Sequence, residues 1–283
     1  MSKRGIVRLG TRGSELARTQ SGTVAAALER LGLAVELTII KTSGDQNTTS
    51  TFASIGPQGV FVREIEQALV EKRIELAVHS FKDLPTKSPA ELVIAAVPAR
   101  IDPADLLLVR RDALAGNTGD WLRLKAGARV GTASARRRAW LMHFRADLVV
   151  EPLRGNVPTR VRRLEEGRFD AIVLAAAGVE RLQAEQRLGS ALGAVEVVRL
   201  DPERFVPAPA QGALAVQCRH DDERVTPVVD PPLQRCQELL ERKRHFGDEA
   251  EVDVAVHQHR VGRDESRVAA HQLHQANPVS CRL

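Results

Sequence analysis

Leu76-Ala77-Val78-His79-Ser80-Phe81-Lys82-Asp83-Leu84-Pro85 is an apolar run that ends abruptly in a Lys-Asp pair. Pro85 lacks a backbone N–H and stops regular structure. A short apolar run bounded by turn signals reads as a buried strand. Open α/β sheets place their chemistry just beyond the carboxyl ends of such strands. There a lysine can hold an anion and a carboxylate can handle protons. The competing reading is a surface turn carrying a solvated ion pair, which is common and worth little.

Working outward, strand-like and helix-like segments alternate. Ile6 to Leu9 reads as a strand, and Ser14 suits the cap of a helix running to about Leu31. Leu16, Val24, Leu28 and Leu31 fall on or near one face of it. Val35 to Ile40 is a strand. Lys41 to Gln58 is polar and rich in Gly, Ser and Thr, and reads as a mobile loop placed to act as a lid. Val60 to Lys72 is an amphipathic helix with Ile65, Ala68 and Leu69 inward, and a strand from Leu92 to Val97 follows Pro85. Pro98 to Pro103 reads as a crossing between lobes.

The pattern then restarts. Strands are expected at Leu106 to Val109, Ala128 to Val130, Leu148 to Val150, Ala171 to Leu174, Val195 to Leu200 and Ala213 to Gln217. Helices are expected at Ala135 to Arg145, Val157 to Glu166 and Ala177 to Gln186, with Gly167 as a C-terminal stop. Such alternation implies an α/β fold of parallel sheets covered by helices. From Asp221 onward the rhythm fades. Arg235 to Arg244 suits one helix, and five of the eight histidines fall between His245 and His274. The alternation of His257 and His259 reads as part of a poorly ordered tail rather than a metal site.

Composition narrows the function. With 283 residues and 43% hydrophobic content the chain can build about two domains with real cores. No apolar run approaches the roughly 20 residues of a membrane span, and no apolar stretch follows Lys3 and Arg4 as in a signal peptide. These features point to the cytoplasm and away from a membrane partner. Cys218, Cys236 and Cys281 have neither the number nor the spacing of a disulfide framework or zinc site. Lys and Arg number 41 against 36 Asp and Glu, while aromatic residues make up only 3%. A basic chain poor in stacking side chains suits small anions better than nucleic acid.

The basic charge is concentrated. Between Arg129 and Arg163 lie nine arginines and two acids, Asp147 and Glu151. Gly10-Thr11-Arg12-Gly13-Ser14 and Gly131-Thr132-Ala133-Ser134-Ala135-Arg136 echo each other. Each puts small residues, a hydroxyl and an arginine at the start of a helix, where unpaired N–H groups favour anions. Two such turns facing each other across two lobes would make an anion-binding cleft. Leu153-Arg154-Gly155-Asn156-Val157-Pro158-Thr159-Arg160 adds arginines at another strand end and helix start. Arginine's planar fork grips carboxylates bidentately. The alternatives are a polycarboxylate site or a solvated basic face.

Taken in order, Gly10-Thr11-Arg12-x-Ser14, His79-Ser80-Phe81-Lys82-Asp83-Leu84-Pro85, Gly131-Thr132-x-Ser134-x-Arg136-Arg137, Leu153-Arg154-Gly155-Asn156-x-x-Thr159-Arg160 and Pro209-Ala210-Gln211-Gly212 resemble the porphobilinogen deaminase (hydroxymethylbilane synthase) family over about residues 4 to 222. Any one motif is weak; the ordered set is specific. The resemblance implies two periplasmic-binding-protein-like lobes with parallel or mixed sheets and a small third domain. Residues 1–99 and 200–222 would form the first lobe and 104–197 the second. It implies stepwise condensation of four porphobilinogen molecules, with loss of ammonia, to linear hydroxymethylbilane in tetrapyrrole and heme biosynthesis. The family uses a dipyrromethane cofactor and no metal, and a monomer is expected. By resemblance, Asp83 is catalytic; Lys82, Ser80, Ser134, Arg136 and Arg137 bind the cofactor; Arg12, Ser14, Arg154, Arg160 and Arg181 bind substrate. No cysteine matches the family's cofactor attachment position, and 223–283 reads as a remnant or aberrant third domain, with a shifted reading frame near Asp221 to Pro227 as the explanation. Glu151 stands where some relatives carry a basic residue. A non-catalytic two-lobed binder of a small polyanion is the alternative.

Overall fold

A strand apolar on both faces needs cover on both faces, and β3 (Leu76–Ser80) has it. In the computed structural model, which describes residues 6–42, 62–116, 121–188, 193 and 195–222, β3 is central in a five-stranded sheet. The order is β2-β1-β3-β10-β4, with β1 (Val7–Thr11), β2 (Val35–Ile39), β4 (Leu92–Ala96) and β10 (Leu214–Arg219). A second five-stranded sheet runs β7-β6-β8-β5-β9, with β5 (Asp105–Arg110), β6 (Arg129–Gly131), β7 (Val149–Glu151), β8 (Ala171–Ala175) and β9 (Val195–Arg199).

The α/β expectation holds, and the sheets are mixed, as the family resemblance allows; only the alternation taken alone suggested parallel sheets throughout. β1 pairs parallel with β2 and β3, but β10 is antiparallel to β3 and β4. β6 is parallel to β7 and β8, while β5 is antiparallel to β8 and β9. β5 and β10 are the strands that follow the two passages between the sheets. Each enters its sheet from the other lobe rather than over a covering helix, so each runs against its neighbours.

Helices cover the sheets as the capping residues dictate. α1 (Glu15–Arg30) starts where the Ser14 hydroxyl accepts the Ala17 N–H at 3.3 Å. α2 is Arg63–Val70, shorter than the expected Val60 to Lys72, whose first two residues lie outside the described ones. α3 (Ala135–Phe144) is capped by Ser134, and α4 (Val157–Glu165) by Asn156, whose Oδ1 accepts the Thr159 N–H at 2.9 Å. α5 is Ala176–Ala184. Expected element ends otherwise shift by a residue or two, as at β10, which starts after Ala213 and runs to Arg219.

Leu31 corrects the expected apolar face of α1. It is 59% exposed, because the helix has ended and the chain turns through Gly32 at φ +82°, leaving Leu33 to fill the core. Leu16 does something the periodicity does not show. It packs on the core of the second sheet, with the Cβ position of Gly178 in α5 at 3.5 Å from its Cδ2, while Val24 and Leu28 pack on the first. One helix therefore serves both lobes. The Thr19 hydroxyl adds a 2.7 Å bond to Glu185 just after α5.

The expected lid Lys41 to Gln58 lies outside the described residues from position 43 onward. So do the expected helix Arg235 to Arg244, Cys236, Cys281 and the C-terminal histidines. No helix of the described residues is long and apolar enough to cross a membrane.

β3 also buries a histidine. The His79 ring, 5% exposed, places Nε2 at 3.0 Å from Gln217 Oε1. Gln217 in turn donates through Nε2 to Glu66 at 3.0 Å and faces Ser88. That orients the amide, so His79 is neutral with its proton on Nε2. Burial pushes its pKa down to about 4; the Gln217 bond opposes this and the Arg12 charge adds to it. Unfolded, this histidine takes a proton near pH 6.5, whereas folded it does not. Stability is therefore expected to fall as pH drops from about 6.5 to 4, by up to about 1.4 kcal/mol per unit. Urea unfolding at pH 7 and pH 5 should show this slope, reduced in His79→Gln; an equal slope in both proteins would refute it.

Candidate active site

The carboxyl ends of the parallel strands carry the candidate residues. Arg12 and Ser14 follow β1, and Ser80, Lys82 and Asp83 follow β3, the last two on a single 3-10 turn, Phe81–Asp83. Ser134, Arg136 and Arg137 follow β6, Arg154 and Arg160 follow β7, and Arg181 lies in α5 after β8. All of these residues lie beyond the carboxyl ends of parallel strands, where open α/β sheets carry their chemistry.

Each side chain has a definite setting. Ser80 and Gln20 share a hydrogen bond, with Gln20 Nε2 at 3.0 Å from the Ser80 hydroxyl. Ser14 and Ser134 use an oxygen lone pair to cap their helices. Their hydroxyl protons can still point to a ligand. Asp83 is exposed. Lys82 sits beside it and is also exposed, with protein atoms crowding its ammonium. Burial lowers its pKa; Asp83 and Asp105 counter this, and Arg137 and Arg136 reinforce it. The Lys82 ammonium reaches Gln211 Oε1 at 3.4 Å.

The arginines divide into held and crowded groups. Arg137 is 7% exposed and donates to Asp105 Oδ1 through Nε (3.1 Å) and Nη2 (2.7 Å), and to the Val173 carbonyl at 3.0 Å. Arg136 reaches Asp105 Oδ2 at 2.7 Å and also donates to the Val206 carbonyl. Asp105 is fully enclosed. Burial would raise its pKa, but the charges and hydrogen bonds of Arg137 and Arg136 hold it below the usual carboxylate range. Arg160 is crowded: burial first, then the charges of Arg137, Arg154 and Arg163, push its pKa down to about 10. Arg181 is lowered by burial and donates to the Gly212 carbonyl at 3.1 Å.

Asp105 and Gln211 are the residues that sequence reasoning missed as parts of the site. Asp105 opens an apolar run, and a charge in that position must be paired when buried. Gln211 stood in a quoted motif without a role. Its neighbour Gly212 is at φ +90°, and a Cβ there would come within 2.6 Å of the Ile101 carbonyl. The passage between the sheets is that tight.

This donor set fits a polycarboxylate cofactor. Near the ends of β6 and β7, Arg136, Arg137, Arg154 and Arg160 gather, and the mutual repulsion felt at Arg160 is relieved by anions. A thioether anchor is a separate matter. Cys218, the one cysteine among the described residues, is buried inside β10 and packed in the core of the first sheet. Glu151 ends β7, and its carbonyl accepts the Thr132 N–H at 2.9 Å, so its backbone helps place the Ser134 turn.

Comparisons with known proteins bear on the same residues. A family model described as porphobilinogen deaminase, dipyromethane cofactor binding domain, matches residues 7–227. The porphobilinogen deaminase of Syntrophobacter fumaroxidans is 44% identical over 229 residues, covering 80% of this chain and 69% of that protein. That of Acidithiobacillus ferrooxidans is 43% identical over 260 residues, covering 88% and 79%. Among solved structures, an ancestral cationic amino acid solute binding protein aligns with a TM-score of 0.47 at 16% identity, over 83% of this chain and 91% of that one. An ancestral arginine-binding protein bound to arginine aligns with a TM-score of 0.42 at 14% identity, over 88% and 96%. With its strand-end arginines, its Lys-Asp turn and a family match that spans both sheets, the chain belongs to the porphobilinogen deaminase family.

Proposed function

We propose that this chain condenses porphobilinogen by hydroxymethylbilane synthase chemistry, with Asp83 as the catalytic carboxylate. The observation that carries the proposal is the placement of Lys82-Asp83 beyond β3, where Lys82 feels the charges of Arg136 and Arg137 that follow β6. Each porphobilinogen carries an acetate and a propionate. Arg12 and Ser14 from one sheet, and Arg154, Arg160 and Arg181 from the other, hold those carboxylates. Lys82, Ser80, Ser134, Arg136 and Arg137 serve the cofactor side. When bound, dipyrromethane supplies the pyrrole carbon that accepts the incoming unit.

Asp83 handles the proton and the charge. The amino nitrogen of the substrate's aminomethyl group departs as ammonia, leaving the methylene carbon as a cation delocalised onto the pyrrole N–H. A fixed carboxylate at hydrogen-bond distance from that N–H stabilises it. The same group takes the proton released once the carbon–carbon bond has formed. Lys82 beside it grips a ligand carboxylate. The enzyme works as a cytoplasmic monomer on a small-molecule substrate, with no membrane partner and, in keeping with the low aromatic content, no nucleic acid. The lobes are 1–99 with 200–222, and 104–197.

Two measurements test this. Incubation with porphobilinogen should consume it and yield hydroxymethylbilane, read as the porphyrin formed on cyclisation and oxidation; binding without consumption would leave only a polyanion binder. Intact-mass measurement under denaturing conditions is expected to give the bare chain, with dipyrromethane held through its carboxylates rather than by a thioether, because Cys218 is enclosed and no other cysteine matches the attachment position. A mass higher by one dipyrromethane would contradict that and place the thioether on Cys236 or Cys281.

A further inference from the structure

We infer that Asp105 and Gln211 are a positioning pair that locks Lys82 of the first sheet and the Arg136–Arg137 pair of the second into one constellation across the passage between the lobes. The inference rests on the condensation reading above and adds residues to it. The bonds run without a break. The Lys82 ammonium meets Gln211 Oε1 at 3.4 Å, and Gln211 Nε2 donates to Asp105 Oδ1 at 3.0 Å. Asp105 Oδ1 also accepts from Arg137, and Oδ2 from Arg136.

The pair sits where the two lobes join. Asp105 is the first residue of β5, immediately after the crossing. Gln211 lies in the return passage before β10, 1% exposed. Its Nε2 also reaches the carbonyls of Pro103 (2.7 Å) and Ala104 (3.3 Å), and its own carbonyl accepts Arg100 Nε at 2.8 Å. Both passages are thereby tied to the same amide. A carboxylate that takes four hydrogen bonds while fully enclosed is held in one orientation. It fixes which edges of the two guanidinium forks face Asp105, and so which face a ligand. Its charge also offsets the mutual repulsion of Lys82, Arg136 and Arg137.

A neutral Asp105 would leave three cations facing the ligand with less restraint. Ground-state attraction for carboxylates would be kept or increased, while the geometry needed in the transition state would loosen. Interactions realised only in the transition state act on kcat. A merely structural role would instead lower the amount of folded enzyme and leave Lys82 chemistry alone.

Asp105→Asn and Gln211→Met separate these. Asp105→Asn is expected to lower kcat at least tenfold with KM for porphobilinogen unchanged or smaller. The midpoint pH for labelling of Lys82 by an amine-directed reagent, read by peptide mass spectrometry, should move down by half a unit or more. Gln211→Met, which keeps the volume and loses both ends of the amide, is expected to lower kcat at least fivefold and supplies the test should Asp105→Asn not fold. If kcat stays within twofold of the parent in the folded variants, or falls with Lys82 labelling unmoved, the inference is wrong. If the parent itself turns over no porphobilinogen, the condensation reading fails, while the labelling shift still decides whether Asp105 sets Lys82.

Discussion

Asp83→Asn is expected to cut the rate of porphobilinogen condensation by a factor of about 10²–10⁴ with little change in KM. The range follows from what a positioned carboxylate supplies, as a proton carrier and as a fixed charge against a developing cation. Asparagine keeps the size and one acceptor oxygen. It loses the negative charge and the capacity to take a proton. Asp83 is exposed at the end of a 3-10 turn, so no buried partner is orphaned and the fold should stand. Carboxylate binding belongs to the arginines, which the substitution leaves in place, so KM should hold. Steady-state kinetics with a thermal melt on the same samples measure this. A variant within threefold of the parent would remove Asp83 from the mechanism, and a matching rise in KM would make it a binding residue instead.

The sequence made the scaffold legible because its punctuation is local. Ser14, Ser134 and Asn156 each announce a helix start through a cap visible in the chain. The run Leu76–Val78, stopped by Pro85, reads as a buried strand and is one, and Gly167 at φ +72° ends α4 as expected. Strand direction was not legible. Whether β5 and β10 run with or against their neighbours depends on how the chain crosses between sheets, and no local pattern encodes that. The dual allegiance of α1 was hidden for the same reason: Leu16 and Val24 share one apolar stripe but serve different cores.

For the candidate site, the arginines could be found by their clustering but not sorted by role. Arg136 and Arg137 are adjacent in the chain, yet one is nearly enclosed with its guanidinium spent on Asp105 and Val173, and the other remains half-buried. The distinction comes from Asp105, 32 residues away from Arg137 in sequence. In the sequence it falls between the Pro98–Pro103 crossing and the strand that starts at Leu106, and nothing local marks it as the counter-ion of two arginines. Gln211 escaped for a related reason, since an amide reveals its use only through what it bridges.

Arg160→Gln is expected to weaken porphobilinogen binding by about 10–100-fold and, in the absence of ligand, to raise stability. The two effects share one cause. Burial and the charges of Arg137, Arg154 and Arg163 push the Arg160 guanidinium down to about 10, so the empty protein holds this cation at a cost. Allowing for solvent screening, that cost is about 1–2 kcal/mol at neutral pH. The guanidinium stays charged at pH 7 in both folded and unfolded chains, so the penalty is constant across the neutral range. It is offset only when anions arrive. Glutamine removes the repulsion and keeps some hydrogen-bonding reach, although the Arg160 bond to the Gly155 carbonyl at 2.7 Å is also lost and trims the gain. The melting temperature without ligand should therefore rise by a few degrees. The rise on adding porphobilinogen should shrink, because binding stabilises only as far as its affinity allows. Thermal melts with and without porphobilinogen, together with the KM, read both effects at once. A variant less stable than the parent and equally tight in binding would show that Arg160 is a structural cation, leaving Arg12, Arg154 and Arg181 to hold the substrate carboxylates.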